Sequence, residues 1–130
     1  MASKKVNITI YSYGEYTKWD RTNRALPKIV EITETIEAGI GTEFGYVLKI
    51  ERAKGKKLQF KIIHPPFKDE KGNITPDFDG EHFISSNDYS FFLGDCVWEP
   101  LENKLGPWQL ITWLDGKIVA DKTLTLIRKG

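Results

Sequence analysis

The stretch from residue 106 to 126 constrains the fold more than any other. An alternating run, Trp108-Gln109-Leu110-Ile111-Thr112, leads to Asp115-Gly116, and a second alternating run follows from Lys117. Asp-Gly between two apolar-rich runs marks a β-hairpin, because glycine takes the positive φ that a tight turn demands. Register then decides which side chains share a face. A strict two-residue loop pairs Leu114 with Lys117 and Leu110 with Asp121. A three-residue loop, Leu114-Asp115-Gly116 with Gly116 in a left-handed bulge, pairs Thr112 with Ile118 and Leu110 with Ala120. The second is the expectation. It gathers Trp108, Leu110, Thr112, Ile118, Ala120, Leu124 and Leu126 on one face, and a slip of one residue would turn that set to the other side. The hairpin defines architecture and carries no chemistry.

Strand patterns recur upstream. Residues 43–52 place Phe44, Tyr46, Leu48 and Ile50 on one face and Glu43, Lys49 and Glu51 on the other, the alternation of a half-buried strand. Leu58, Phe60 and Ile62 repeat it, as do Tyr89, Phe91 and Leu93, and Val6, Ile8 and Ile10 open the chain in the same way. Residues 28–37 fit both periods: Ile29, Ile32, Thr33 and Ile36 share a helical face, Val30, Ile32 and Ile36 a strand face. Their β-branched density favours strand. Loops are expected at 14–27, 65–80 and 94–106. About seven short antiparallel strands with regular turns imply an all-β sandwich. At 130 residues and 40% hydrophobic content, one domain spanning 1–130 buries roughly two thirds of its unfolded surface.

Composition narrows the setting. Cys96 is the only cysteine, so no intrachain disulfide forms and an oxidising compartment is not required. The start, Met1-Ala2-Ser3-Lys4-Lys5, runs into an alternating strand and lacks the apolar centre of a secretory signal, so a cytoplasmic protein is expected. No apolar run approaches the ~20 residues that cross a bilayer. Nineteen basic and eighteen acidic residues leave a net charge of +1. Lys54, Lys56 and Lys57 around Gly55 read as a solvated turn, because a phosphate-tracking surface needs several basic groups without neutralising neighbours. Neither a nucleic acid nor a membrane partner is expected.

The segment Ala38-Gly39-Ile40-Gly41-Thr42-Glu43-Phe44-Gly45-Tyr46, the Pro65-Pro66 loop and the closing Gly106-Pro107-Trp108 strand with Asp115-Gly116-Lys117 resemble small bacterial immunoglobulin-like domains of a family of unknown function. The resemblance spans most of the chain. It implies an immunoglobulin-like β-sandwich of about seven antiparallel strands and supplies no catalytic residue, since its motifs are turn glycines and one aromatic.

Read for chemistry, the chain gives no catalytic set and implies no cofactor. Cys96 has no basic neighbour in sequence to lower its pKa, which suits a buried, inert thiol. Gly39, Gly41 and Gly45 precede a strand, and without a helix N-terminus they lack the logic of an anion-binding loop, so they serve a turn or bulge. His64 and His82 meet at one end of a strand pair if the strands flanking the 65–80 loop are antiparallel. Asp79 lies close in sequence, with Glu81 and Asp69 nearby, and two imidazoles with a carboxylate are a zinc-type ligand set. No short pair such as His-x-His anchors them, and local hydrogen bonding explains them more simply, so no metal is expected. Lys68-Asp69-Glu70-Lys71-Gly72-Asn73 lacks the alternating oxygen ligands of a calcium-binding loop and reads as a turn.

Sixteen aromatic residues are a generous supply for one small core. Tyr11, Tyr13, Tyr16 and Trp19 crowd one segment, and exposed Tyr and Trp bring large contact area at low entropic cost. Tyr13, Tyr16 and Trp19 are therefore the candidate binding residues. Against this, Tyr11 and Tyr13 would serve equally to cover a strand, and Trp19 to plug one end of the sandwich. Trp108 and Trp113 have opposite parity, so only one faces the main core. The expected function is a non-catalytic protein-interaction module, with a protein partner and room for a homodimer. The alternatives are carbohydrate binding through exposed rings, or a metal-dependent protein using the two histidines.

Overall fold

In the computed structural model, residues 5–20 and 25–129 are described. The alternating runs become nine strands among them: β1 (Asn7–Tyr16), β2 (Ile29–Ile32), β3 (Thr35–Ala38), β4 (Glu43–Glu51), β5 (Lys57–Ile63), β6 (Phe78–Phe83), β7 (Asp88–Cys96), β8 (Gly106–Leu114) and β9 (Lys117–Arg128). One 3₁₀ turn, Glu102–Lys104, precedes β8. The strands form two sheets, ordered β2-β1-β4-β7 and β3-β9-β8-β5-β6.

The closing hairpin forms with its irregularity in a different place from the expected one. Leu114 pairs with Lys117, so the loop is Asp115-Gly116 alone. The φ angles of these two residues, 51° and 78°, are both positive, as in a type I′ turn, whose twist matches that of the strands it joins. Aspartate tolerates the left-handed region that the first position requires. The extra residue lies one pair further in. Trp113 faces Ile118, Thr112 faces Ala120, and Val119 between them is a β-bulge. Trp108, Leu110, Thr112, Ala120, Leu124 and Leu126 are buried as one set, while Ile118, expected among them, is 58% exposed.

Residues 28–37 form strand, broken into two. β2 runs antiparallel to β1 in the four-stranded sheet; β3 runs parallel to β9 in the other. At the break, the Thr33 hydroxyl donates to Thr35 O at 2.9 Å and accepts from Thr35 N at 3.1 Å. This split raises the strand number above seven and adds a parallel pair to a sandwich expected to be antiparallel. It also straps one side of the sandwich shut. On the opposite side, β6 and β7 each have a neighbouring strand on one flank only among the described residues.

Between the sheets, Phe44, Tyr46, Leu48 and Ile50 of β4 pack with Leu58, Trp108, Leu110, Leu124 and Leu126. A smaller cluster, Tyr16, Val47 and Phe92 with Trp19 and Leu26, lies on the outer face of the four-stranded sheet. Glu43, expected on a solvated face, is buried beneath this covering segment and accepts from Trp19 N at 3.3 Å. Three glycines line up across that sheet, Gly14 opposite Gly45 and Gly45 opposite Gly94. A Cβ on Gly45 would sit 2.2 Å from Leu93 O, and one on Gly14 2.1 Å from Glu31 O. The strands approach there more closely than any side chain permits.

Candidate functional site

Of the aromatic residues expected to form a binding surface, Tyr16 is buried, Tyr13 and Trp19 are half-buried, and Trp19 lines a cleft beside β7. Tyr13 is half-buried against the core, with the Lys122 ammonium 3.9 Å from its ring centroid. Tyr16 is 3% exposed, its hydroxyl 2.7 Å from Ser12 Oγ and its ring edge-on to Phe92. Burial pushes its phenol up, outweighing the hydrogen bond from Ser12. Trp19 is half-buried, edge-on to Phe92 at 5.1 Å, with Nε1 donating to Ala25 O. Trp19 and Leu26, which follow β1, pack with Tyr16, Val47 and Phe92 on the outer face of its sheet, which the alternation within β1 does not reveal.

The histidine grouping is not formed either. β5 and β6 are antiparallel, as the argument required, but Leu58 pairs with His82 and Ile62 with Phe78. His82 thus stands at the start of β5 and His64 just beyond its end. Asp79, opposite Lys61, has the opposite strand parity to His82 and points to the other face. Among the described residues no group of three metal-ligating side chains converges. His64 is buried, its two ring nitrogens each 2.8 Å from a carbonyl oxygen, of Pro65 and Pro76. It stacks on Phe67 and lies beside Phe78 and Trp108, pinning the 65–77 loop over one end of the sandwich. Cys96, expected buried, is half-buried.

Lys104, which sequence reasoning passed over, is 1% exposed at the same end. Its ammonium donates to Asn103 Oδ1 at 2.6 Å and Pro100 O at 3.2 Å, over the rings of Phe67 and Trp98. Burial holds it below the usual lysine range. With its donors satisfied, and its own carbonyl accepting from Trp108 Nε1 at 2.8 Å, Lys104 anchors the loop between β7 and β8.

The open side of the sandwich presents a different surface. A cleft of about 1040 Å³ runs between β6 and β7. Phe60 and Phe91, 5.9 Å apart, form its floor, with Ile62 and Leu93 beside them and Phe78 on the β6 side. Within it His82 Nε2 lies 2.6 Å from the Tyr89 hydroxyl, and the imidazole packs on Phe91 at 4.7 Å. Desolvation holds His82 below its ordinary value. Glu81, Asp88 and Asp95 contribute carboxylates to the rim, and no lysine or arginine lines it among the described residues. The arrangement combines an apolar floor with two strands that each end their sheet among the described residues. The Tyr89-Phe91-Leu93 alternation was readable from sequence. That β7 ends a sheet depends on pairings between distant segments.

Two sheets packed face to face, strapped on one side and open on the other, define an immunoglobulin-like β-sandwich. The chain belongs to the family described as a domain of unknown function, DUF3859, whose model matches residues 4–126. A solved structure described as an immunoglobulin-like protein from Pseudomonas aeruginosa is similar, with a TM-score of 0.75 and 18% identity over 98% of this chain and 100% of that one. At that identity the likeness is one of fold. No curated protein matches the chain. The family resemblance read from the glycine turns and the closing Trp108 hairpin holds, and so does the immunoglobulin-like sandwich it implied, with nine strands among the described residues and one parallel pair in place of about seven antiparallel ones.

Proposed function

We propose that the protein is a binding module that takes an extended polypeptide segment into the cleft between β6 and β7, where the segment adds to the edge of β7. The observation that carries this reading is that β6 and β7, each ending its sheet among the described residues, flank one apolar-floored cleft. A free edge offers main-chain hydrogen bonds to any extended chain, and the alternate side chains of that chain find pockets in the neighbouring surface. β7 is nine residues long, long enough to hold a segment in register. Carbohydrate stacking draws less support, because Tyr16 is buried and Tyr13 and Trp19 are half-buried against neighbours.

Hydrogen exchange tests the reading. A partner captured from cell lysate should slow amide exchange across residues 89–95 of β7. Slowing confined to Tyr11 and β2, on the other side of the molecule, would overturn it.

A further inference from the structure

We propose that a groove on the outer face of the four-stranded sheet binds a free amphipathic carboxylate, an unbranched acid of medium chain length, with its chain on the apolar floor and its headgroup met by Lys28 and Lys49. The groove holds about 450 Å³, within the range of small-molecule sites. It shares only Leu26 and Ser90 with the cleft beside β7, so it stands apart from the strand-acceptor reading.

A β-bulge in β1 builds one wall. Ile10 pairs with Leu48 and Ser12 with Val47, which leaves Tyr11 as the extra residue. Tyr11 and Ser12 therefore both line the outer groove, where strict alternation would send one of them inward. Tyr11 stands 67% exposed. The other wall is the chain entering β2. Thr17 N donates to Lys28 O at 2.8 Å, and Lys28 N donates to Thr17 Oγ1 at 2.9 Å, which fixes Pro27, Lys28 and Ile29 along the groove. Buried Val47 and Tyr16 form the floor. The hydroxyls of Ser12 and Tyr16 lie 2.7 Å apart and satisfy each other, so the floor takes hydrocarbon and offers little to a polar ligand.

The charges select the headgroup. Lys28 and Lys49 line the groove, and among the described residues no aspartate or glutamate does. Lys49 Nζ lies 4.9 Å from the Tyr11 ring centroid. Neither lysine forms an ion pair among the described residues, whereas Lys56, Lys57, Lys61 and Lys122 each reach a carboxylate. Glu51 and Asp88 pair two residues beyond Lys49 and Ser90, and Glu51 is already bonded to Asn7 and Arg52. Two ammoniums beside apolar surface attract an anion, and a hydrocarbon tail then covers that surface. The floor is recessed between its walls, which fits a single chain; a bilayer surface instead takes apolar side chains that project into it.

The test titrates isotope-labelled protein with decanoate, decanol and decylammonium, each below its micelle concentration. Decanoate should shift the amide signals of Tyr11, Ser12, Val47 and Lys49 and bind about tenfold more tightly than octanoate. It should bind about fivefold more tightly than decanol and weaken as salt is raised. Decylammonium should leave those signals in place. Lys28→Gln with Lys49→Gln should bring decanoate to the affinity of decanol with little change in melting temperature. Equal binding of decanoate and decanol, or decanoate binding unchanged in the double variant, would overturn the anion assignment. Shifts confined to His82 and Phe91 would place the ligand in the cleft and overturn the groove. Binding of neither decanoate nor decanol would remove the site, and co-sedimentation with phosphatidylglycerol vesicles in that case would make a membrane surface the partner instead.

Discussion

Tyr46 and Thr112 join the two sheets through their hydroxyls, 2.6 Å apart, both side chains fully buried. Burial pushes the Tyr46 phenol up, more than the hydrogen bond to Thr112 lowers it. Thr112→Val keeps the shape of the side chain and leaves the phenol without a partner, at an expected cost of about 1–3 kcal/mol. Combining it with Tyr46→Phe removes both polar groups, so the pair should cost less than the sum of the two single changes. Urea midpoints of the four proteins measure this coupling. His82 behaves differently, because its neutral form is the one the fold prefers. Its folded value lies below the ordinary histidine value of 6.5, so the fold carries no penalty from it above that pH. As pH falls from about 6.5 through the lower folded value, stability is lost, and below that value the loss is complete. His82→Gln should flatten the difference between midpoints at pH 7.5 and pH 5. An equal slope in both proteins would place the pH dependence elsewhere.

At the scale of the element, glycine positions decide where substitution fails. Gly116 has φ 78° and open space around its Cα, so Gly116→Val should cost roughly 1 kcal/mol or more from backbone strain alone. Gly45→Ala should cost more, since the new methyl would collide with the backbone of Leu93 and Gly94 across the sheet. Denaturation midpoints of the two variants give the order. The first of these positions was legible in the sequence, because Asp115-Gly116 is a local signal. The second was not, because Gly14, Gly45 and Gly94 become neighbours only through register. The same limit governed the rest. Alternation along β4, β5 and β8 identified the inward residues, yet the bulge at Val119 and the break at Thr33 depend on how strands meet partners far along the chain. An antiparallel pairing of the strands around the 65–80 loop could bring His64 and His82 to one end, but the register pairs Leu58 with His82 and the two stand apart.

Over the whole molecule, the core set by Trp108, Phe44 and their neighbours should dominate stability. Trp108 is 1% exposed and edge-on to Phe44 at 5.1 Å, so Trp108→Ala should cost about 3–5 kcal/mol. A near-wild-type midpoint would show that its ring does not support the core. The cleft was the least legible feature, since an edge strand carries the same alternating pattern as a central one. The strap opposite the cleft bears on how a nascent chain matures. β3 lies beside β9, with Ile36 next to Leu126, ninety residues later. At ~5–20 residues per second, a ribosome needs roughly 5 to 18 s to supply that partner. Until then, Ile36 of β3 has no neighbouring strand to settle beside, and the edge of β3 is open to other chains. A chaperone that shelters this segment would act during synthesis and have nothing to hold once β9 has emerged.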